Sequence, residues 1–178
     1  MSLAVVMAGF GGQGVMLMGQ LLTYAGMIEN KQVSWMPSYG PEMRGGTANC
    51  TVILSDQEVG SPVVTNPDVV IAMNLPSMDK FEKLLVPGGT LIYNSTLINR
   101  APQRQDIKVI AVPANEVAQE LGNTRVANMV ALGAFVQATG AVGDDSIAAA
   151  LKKALPAHRQ DLLPLNMQAI EKGRSFAR

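Results

Sequence analysis

Two short segments hold most of the residues whose types and spacing could do chemistry. The first, Gly9-Phe-Gly11-Gly12-Gln13-Gly14, satisfies the spacing G-x-G-x-x-G directly after an apolar run and before an amphipathic stretch. Glycines in that context let backbone amides at a helix N-terminus approach a phosphate or carboxylate, so Gly9, Gly11, Gly12, Gln13 and Gly14 form a candidate cofactor-binding set. The same glycines could equally serve only a tight turn and close helix–sheet packing. A dinucleotide site would also need an acidic residue at the end of the second strand to hold the ribose hydroxyls, and there Met36 is followed by Pro37 and Ser38.

The second segment, Pro37-Ser38-Tyr39-Gly40-Pro41-Glu42-Met-Arg44-Gly45-Gly46, combines restrained backbone, flexible backbone, an aromatic hydroxyl and an ion-pairable couple. Arg44 could clamp a carboxylate or phosphate through two parallel hydrogen bonds, with Glu42 orienting it or pairing across an interface. Ser38, Tyr39, Gly40, Pro41, Glu42, Arg44, Gly45 and Gly46 are therefore the candidate substrate or interface set. An internal Glu42–Arg44 brace is the competing explanation. Elsewhere no nucleophile–base pair, no two-histidine metal spacing and no P-loop lysine occurs, so no catalytic or metal-ligating residue is assigned. Cys50 stands alone where a [4Fe–4S] cluster needs about four thiolates, and the lone His158 sits in a polar stretch after Pro156.

The elements that must position these segments alternate. Leu3 to Ala8 reads as a strand covered on both faces, and Val15, Met18, Leu21, Leu22 and Ala25 repeat at helical spacing up to about Ile28. Extended segments follow at 32–36 and 48–54, and the loop between them is too short for a crossover helix, so these two strands should run antiparallel. Strands at 69–73, 90–93 and 108–112 alternate with helices at 76–85 and 116–121, the latter capped by Asn115 and stopped by Gly122. From Val126 an all-round apolar helix should lie within the core or against another subunit. Helices from Asp144 to Leu155 and from Pro164 to Lys172 close the chain, with Gly173 as the final stop. The pattern predicts a single α/β domain spanning 1–178, a three-layer α/β/α, doubly wound arrangement with a mostly parallel, mixed sheet. Residues 9–14 and 37–46 should meet at its carboxyl-end edge, where such folds place ligands.

Composition narrows the function classes. Fourteen basic and 14 acidic residues give zero formal net charge with no basic stripe, which argues against nucleic-acid binding. The N-terminal apolar run lacks a basic lead and is too short for a signal peptide or membrane span, pointing to a cytoplasmic protein with no membrane partner. An apolar fraction of 48% supports an ordinary core without disulfides.

The two segments together resemble the gamma subunit of 2-oxoacid:ferredoxin oxidoreductases. Ser61-Pro62, Gly88-Gly89 before Tyr93-Asn94, Glu120-Leu-Gly122-Asn123, Asn128-Met-Val-Ala-Leu-Gly133 and Asn166 extend the resemblance in order along essentially the whole chain. It implies an assembly that converts a 2-oxoacid, coenzyme A and oxidised ferredoxin to an acyl-CoA, carbon dioxide and reduced ferredoxin. Thiamine diphosphate, magnesium and [4Fe–4S] clusters would then sit in partner alpha and beta, and in some cases delta, subunits, with coenzyme A as cosubstrate and no cofactor held by this chain alone. Because other members fuse this part to further domains, a separately encoded subunit is expected, inactive in isolation. The competing readings are a stand-alone nucleotide- or flavin-binding Rossmann-like domain and an assembly scaffold without ligand contact.

Overall fold

The computed structural model describes residues 1–38 and 47–178. Its strands are β1 (Ser2–Phe10), β2 (Gln32–Ser38), β3 (Thr47–Ser55), β4 (Val69–Ala72), β5 (Thr90–Asn94) and β6 (Lys108–Val112). Its α-helices are α1 (Val15–Ile28), α2 (Leu75–Phe81), α3 (Ala114–Glu120), α4 (Ala127–Thr139), α5 (Asp144–Ala154) and α6 (Leu163–Arg174).

All six strands form one sheet in the order β2-β3-β1-β4-β5-β6. β1, β4, β5 and β6 are parallel, whereas β3 lies antiparallel between β1 and β2. The mixed sheet expected from the short connection between the second and third strands is therefore present. From β1 the chain passes through α1 to β2 on one side, and from β4 through α2 to β5 on the other. The two helices lie on opposite faces, as right-handed crossovers in opposite directions require.

The faces are unequally covered. Val5 and Met7 of β1 join α1, α3, α4, α5 and α6 in the larger core, while Val6 and Ala8 face a smaller cluster made by Met78, Phe81 and Leu85 of α2 and the 3-10 turn after it, together with Ile98 from the loop beyond β5. The alternation of β1 side chains across the sheet thus separates two apolar clusters. In α1, Val15, Met18, Leu21, Leu22 and Ala25 are all buried, the stripe its spacing predicts. Each such Leu or Met contributes about 1.5–3 kcal/mol on burial.

α4 is buried along its whole first part, from Ala127 to Val136, and its cover is this chain's own α6. Two glycines set that contact. A Cβ on Gly133 would lie 2.0 Å from the Ile170 carbonyl oxygen, and one on Gly173 would lie 1.9 Å from the Val130 carbonyl oxygen. The helix backbones touch at reciprocal points where no side chain fits. Gly173, expected as a stop, is instead a packing residue inside α6. Two further expectations shift. The helix expected over 76–85 ends as an α-helix at Phe81 and finishes as a 3-10 turn, and Asn74 caps it by accepting from the Ser77 amide at 2.9 Å. The start of α3 is satisfied from β5 rather than by Asn115, because Asn94 Oδ1 accepts from the Ala114 amide at 3.2 Å.

Candidate functional site

β1 carries two residues further than its apolar run, so Gly9 is its penultimate residue and the turn proper is residues 11–14. Gly9 is there because of its neighbours: a Cβ would meet Gln13 Oε1 at 2.6 Å and Met73 Cβ at 2.9 Å. Gln13 folds back over it, accepting from the Phe10 amide at 2.6 Å and donating to the Met73 carbonyl at 3.3 Å. Gln13 therefore ties the end of β1 to the end of β4. Gly14 has φ 74°, a left-handed conformation suited to glycine, and no side chain caps the helix it opens. The first amides of α1 consequently keep free donor capacity and the positive end of the helix dipole.

The end of β1 faces the point where the chain reverses direction across the sheet, between β1 and β4. A cavity of about 180 Å³ opens there, lined by Gly12, Gln13, Met73, Asn115, Thr124 and Arg125 among others. Asn115 is fixed by Asn94, whose Nδ2 donates to Asn115 Oδ1 at 2.7 Å and also to the Met73 carbonyl at 3.3 Å. Arg125 is delivered by a short 3-10 turn whose first amides are capped by Asn123, Oδ1 accepting from the Arg125 amide at 3.0 Å. On the other side of the turn Phe10, Gly11, Met16, Leu17 and Ala48 line an apolar hollow of about 280 Å³, with Phe10 left 38% exposed. The glycine turn thus divides a polar, cationic hollow from an apolar one. Such a site can hold an elongated molecule bearing an anionic group and an apolar arm.

Of the second segment, Ser38 is the exposed last residue of β2, paired with Asn49. Tyr39, Gly40, Pro41, Glu42, Arg44, Gly45 and Gly46 lie outside the described residues. Their flanks are fixed nonetheless: Ser38 ends β2, and Thr47 begins β3 opposite Phe10. Both ends of the segment therefore emerge at the sheet edge that carries the glycine turn.

Cys50 is fully buried in β3 beneath α1, where a Cβ on Gly19 would meet its sulfur at 2.6 Å. Burial pushes its thiol up to about 11, so it stays protonated and unavailable as a metal ligand near neutral pH. Among the described residues no group of three His, Cys, Asp or Glu could hold a metal ion. His158 is exposed, in the 3-10 turn of residues 157–162. No helix among the described residues is long and apolar enough to cross a membrane.

The site contains residues that sequence reasoning did not assign. Arg125, Thr124 and Asn115 reach the cavity from elements remote in the chain, with buried Asn94 behind Asn115; the sequence offered Asn115 only as a helix cap, Asn94 only as a position of the resemblance, and for Arg125 only the Gly122-Asn123 turn beside it.

The family model for pyruvate ferredoxin/flavodoxin oxidoreductase matches residues 4–176. The chain belongs to this family. Ketoisovalerate oxidoreductase subunit VorA of Methanothermobacter thermautotrophicus is 40% identical over 98% of this chain, which spans 36% of that longer protein. The 2-oxoglutarate synthase subunit KorC of Methanothermobacter marburgensis is 35% identical over 95% of this chain and 93% of its own length. The crystal structure of a keto/oxoacid ferredoxin oxidoreductase gamma subunit from Geobacter sulfurreducens superposes with a TM-score of 0.84 at 32% identity, covering 98% of each chain. This pyruvate ferredoxin/flavodoxin oxidoreductase family fold departs from a dinucleotide-binding one where it matters. β3, entering antiparallel, fills the place beside β1 that a ribose-binding second strand would occupy, and the strand ends there carry Ser38 and Thr47 rather than a carboxylate.

Proposed function

We propose that this chain is the gamma component of a 2-oxoacid:ferredoxin oxidoreductase. The assembly oxidatively decarboxylates a 2-oxoacid with coenzyme A, giving an acyl-CoA, carbon dioxide and reduced ferredoxin. Thiamine diphosphate, magnesium and [4Fe–4S] clusters belong to partner alpha, beta and, where present, delta subunits, in the cytoplasm. The observation that carries this reading is the end-to-end match to a KorC subunit and to a gamma subunit of nearly the same length. It is supported by a chain whose one thiol is buried and protonated.

Within that assembly the glycine turn and Arg125 face coenzyme A. Backbone amides of the α1 N-terminus and the Arg125 guanidinium offer donors to phosphate oxygens, while Phe10, Met16 and Leu17 offer the pantetheine arm an apolar wall. Gln13, whose amide is engaged on both sides within the chain, sets the turn rather than touching the ligand. Residues 39–46 close the junction with the thiamine-binding subunits, Arg44 clamping a carboxylate or phosphate there.

The test is purification of the chain alone and with its neighbouring subunits. The isolated chain should be colourless, free of stoichiometric iron and sulfide, and inactive toward pyruvate, 2-oxoglutarate, branched-chain 2-oxoacids and indolepyruvate with an artificial electron acceptor. A flavin or nucleotide spectrum from the isolated chain would instead establish the stand-alone oxidoreductase domain.

A further inference from the structure

The described arginines divide into two groups. Arg100 pairs with Asp79 and Glu82, Arg104 with Asp106, Arg174 with Asp144 and Glu171, and Arg178 with Glu171. Arg125 and Arg159 make no side-chain ion pair or hydrogen bond to any described residue, and both line the same groove. Its lining is mostly apolar, with Leu17, Val126, Leu155 and Leu162 beside three asparagines, and among the described residues no carboxylate lines it. Two guanidinia without a described partner thus border a largely apolar trough of about 280 Å³. Since a cavity of about 150 Å³ takes a benzene-sized ring, the trough suits one or two apolar side chains.

We infer that this groove, between the first turn of α1, the start of α4 and the 157–162 turn, docks an acidic segment of a partner subunit. One or two apolar side chains of that segment fill the trough, and a flanking carboxylate pairs with Arg159, a second meeting the edge of the Arg125 guanidinium turned away from the coenzyme A phosphates. The charge pattern carries the choice of occupant: a surface that neutralises its other described arginines internally leaves unpaired two that border the same largely apolar groove. Guanidinium–carboxylate pairs flanking a filled apolar pocket are the arrangement in which interfacial arginines contribute most. The inference rests on the reading of this chain as a subunit, and Arg125, which also lines the cavity at the glycine turn, makes the groove continuous with that site.

Arg159 lines only the groove among these cavities, so it gives the cleaner test. The full chain is titrated against the co-expressed thiamine-binding and iron–sulfur subunits, comparing wild type, Arg159→Lys, Arg159→Glu and Leu162→Asp, with circular dichroism confirming that each variant folds. Arg159→Glu and Leu162→Asp should each weaken assembly at least tenfold, and Arg159→Lys by less. Wild-type affinity should fall with added salt more steeply than that of Arg159→Glu. Wild-type affinity retained by folded Arg159→Glu and Leu162→Asp overturns the proposal. If affinity is unchanged while the KM for coenzyme A rises, the groove belongs to the anionic cosubstrate and the proposal is equally overturned. A wild-type chain that assembles with none of these subunits defeats the subunit reading itself, and the docking surface with it.

Discussion

Cys50 shows how one residue type can mislead or inform depending on its surroundings. The thiol rises from 9.0 to about 11 because burial disfavours the thiolate, so the unfolded chain ionises first as pH increases. Its contribution to stability is intact below pH 9 and is lost between pH 9 and about 11, on the order of 3 kcal/mol for two pKa units. Urea midpoints of wild type and Cys50→Ala compared across that range should converge as pH rises, and native protein should resist thiol reagents that label it readily in urea. Glu82 is the other residue whose setting decides its role. Only 3% exposed, it accepts from Arg100 and from the amides of Gln103 and Arg104, so one carboxylate fastens the loop leading into β6. Glu82→Gln should cost about 2–3 kcal/mol in urea unfolding, because it weakens several charge-assisted hydrogen bonds at once. Limited proteolysis near residues 97–107 should accelerate in parallel.

At the scale of elements, local pattern and tertiary contact disagree in instructive places. Helix propensity alone says that Gly133→Ala and Gly173→Ala should each stabilise α4 or α6 by about 1 kcal/mol. The carbonyl oxygens within about 2 Å of either added Cβ say the opposite, and backbone cannot swing aside as a side chain can. Overpacking should win, each substitution costing at least 1–3 kcal/mol; a raised melting temperature for either would show that the helices can separate freely. This contact also marks what the sequence could not disclose. Strands of β-branched residues and the α1 stripe were legible because their periodicity is local, and the antiparallel β2–β3 pair followed from connection length. The capping of α3 by Asn94, the brace from Gln13 to Met73 and the role of Gly173 depend on which remote elements meet. The glycine turn was legible as a donor site, whereas Arg125 arrives from more than a hundred residues away with no spacing to announce it.

At the scale of the whole molecule, the sheet gathers the glycine turn, the flanks of residues 39–46 and the Arg125 cavity at one edge, and of the helices among the described residues α2 lies on one face while the other five pack on the opposite one. That asymmetry suits a subunit that works at a junction. If Arg44 clamps an anion there, Arg44→Lys in the reconstituted assembly should lower affinity or turnover by more than tenfold, since losing a buried bidentate pair costs roughly 2–5 kcal/mol. If Arg44 only braces Glu42, both Arg44→Lys and Glu42→Gln should leave rates near normal, because exposed pairs contribute about 0–1 kcal/mol. The central claim, that this chain is a necessary but non-catalytic subunit of a 2-oxoacid:ferredoxin oxidoreductase, is tested most directly by omission. Coenzyme A-dependent decarboxylation is measured for the partner subunits with and without this chain, and for this chain alone. The account predicts turnover only when all are present; full turnover by the partners without it, or any by this chain alone, would contradict it.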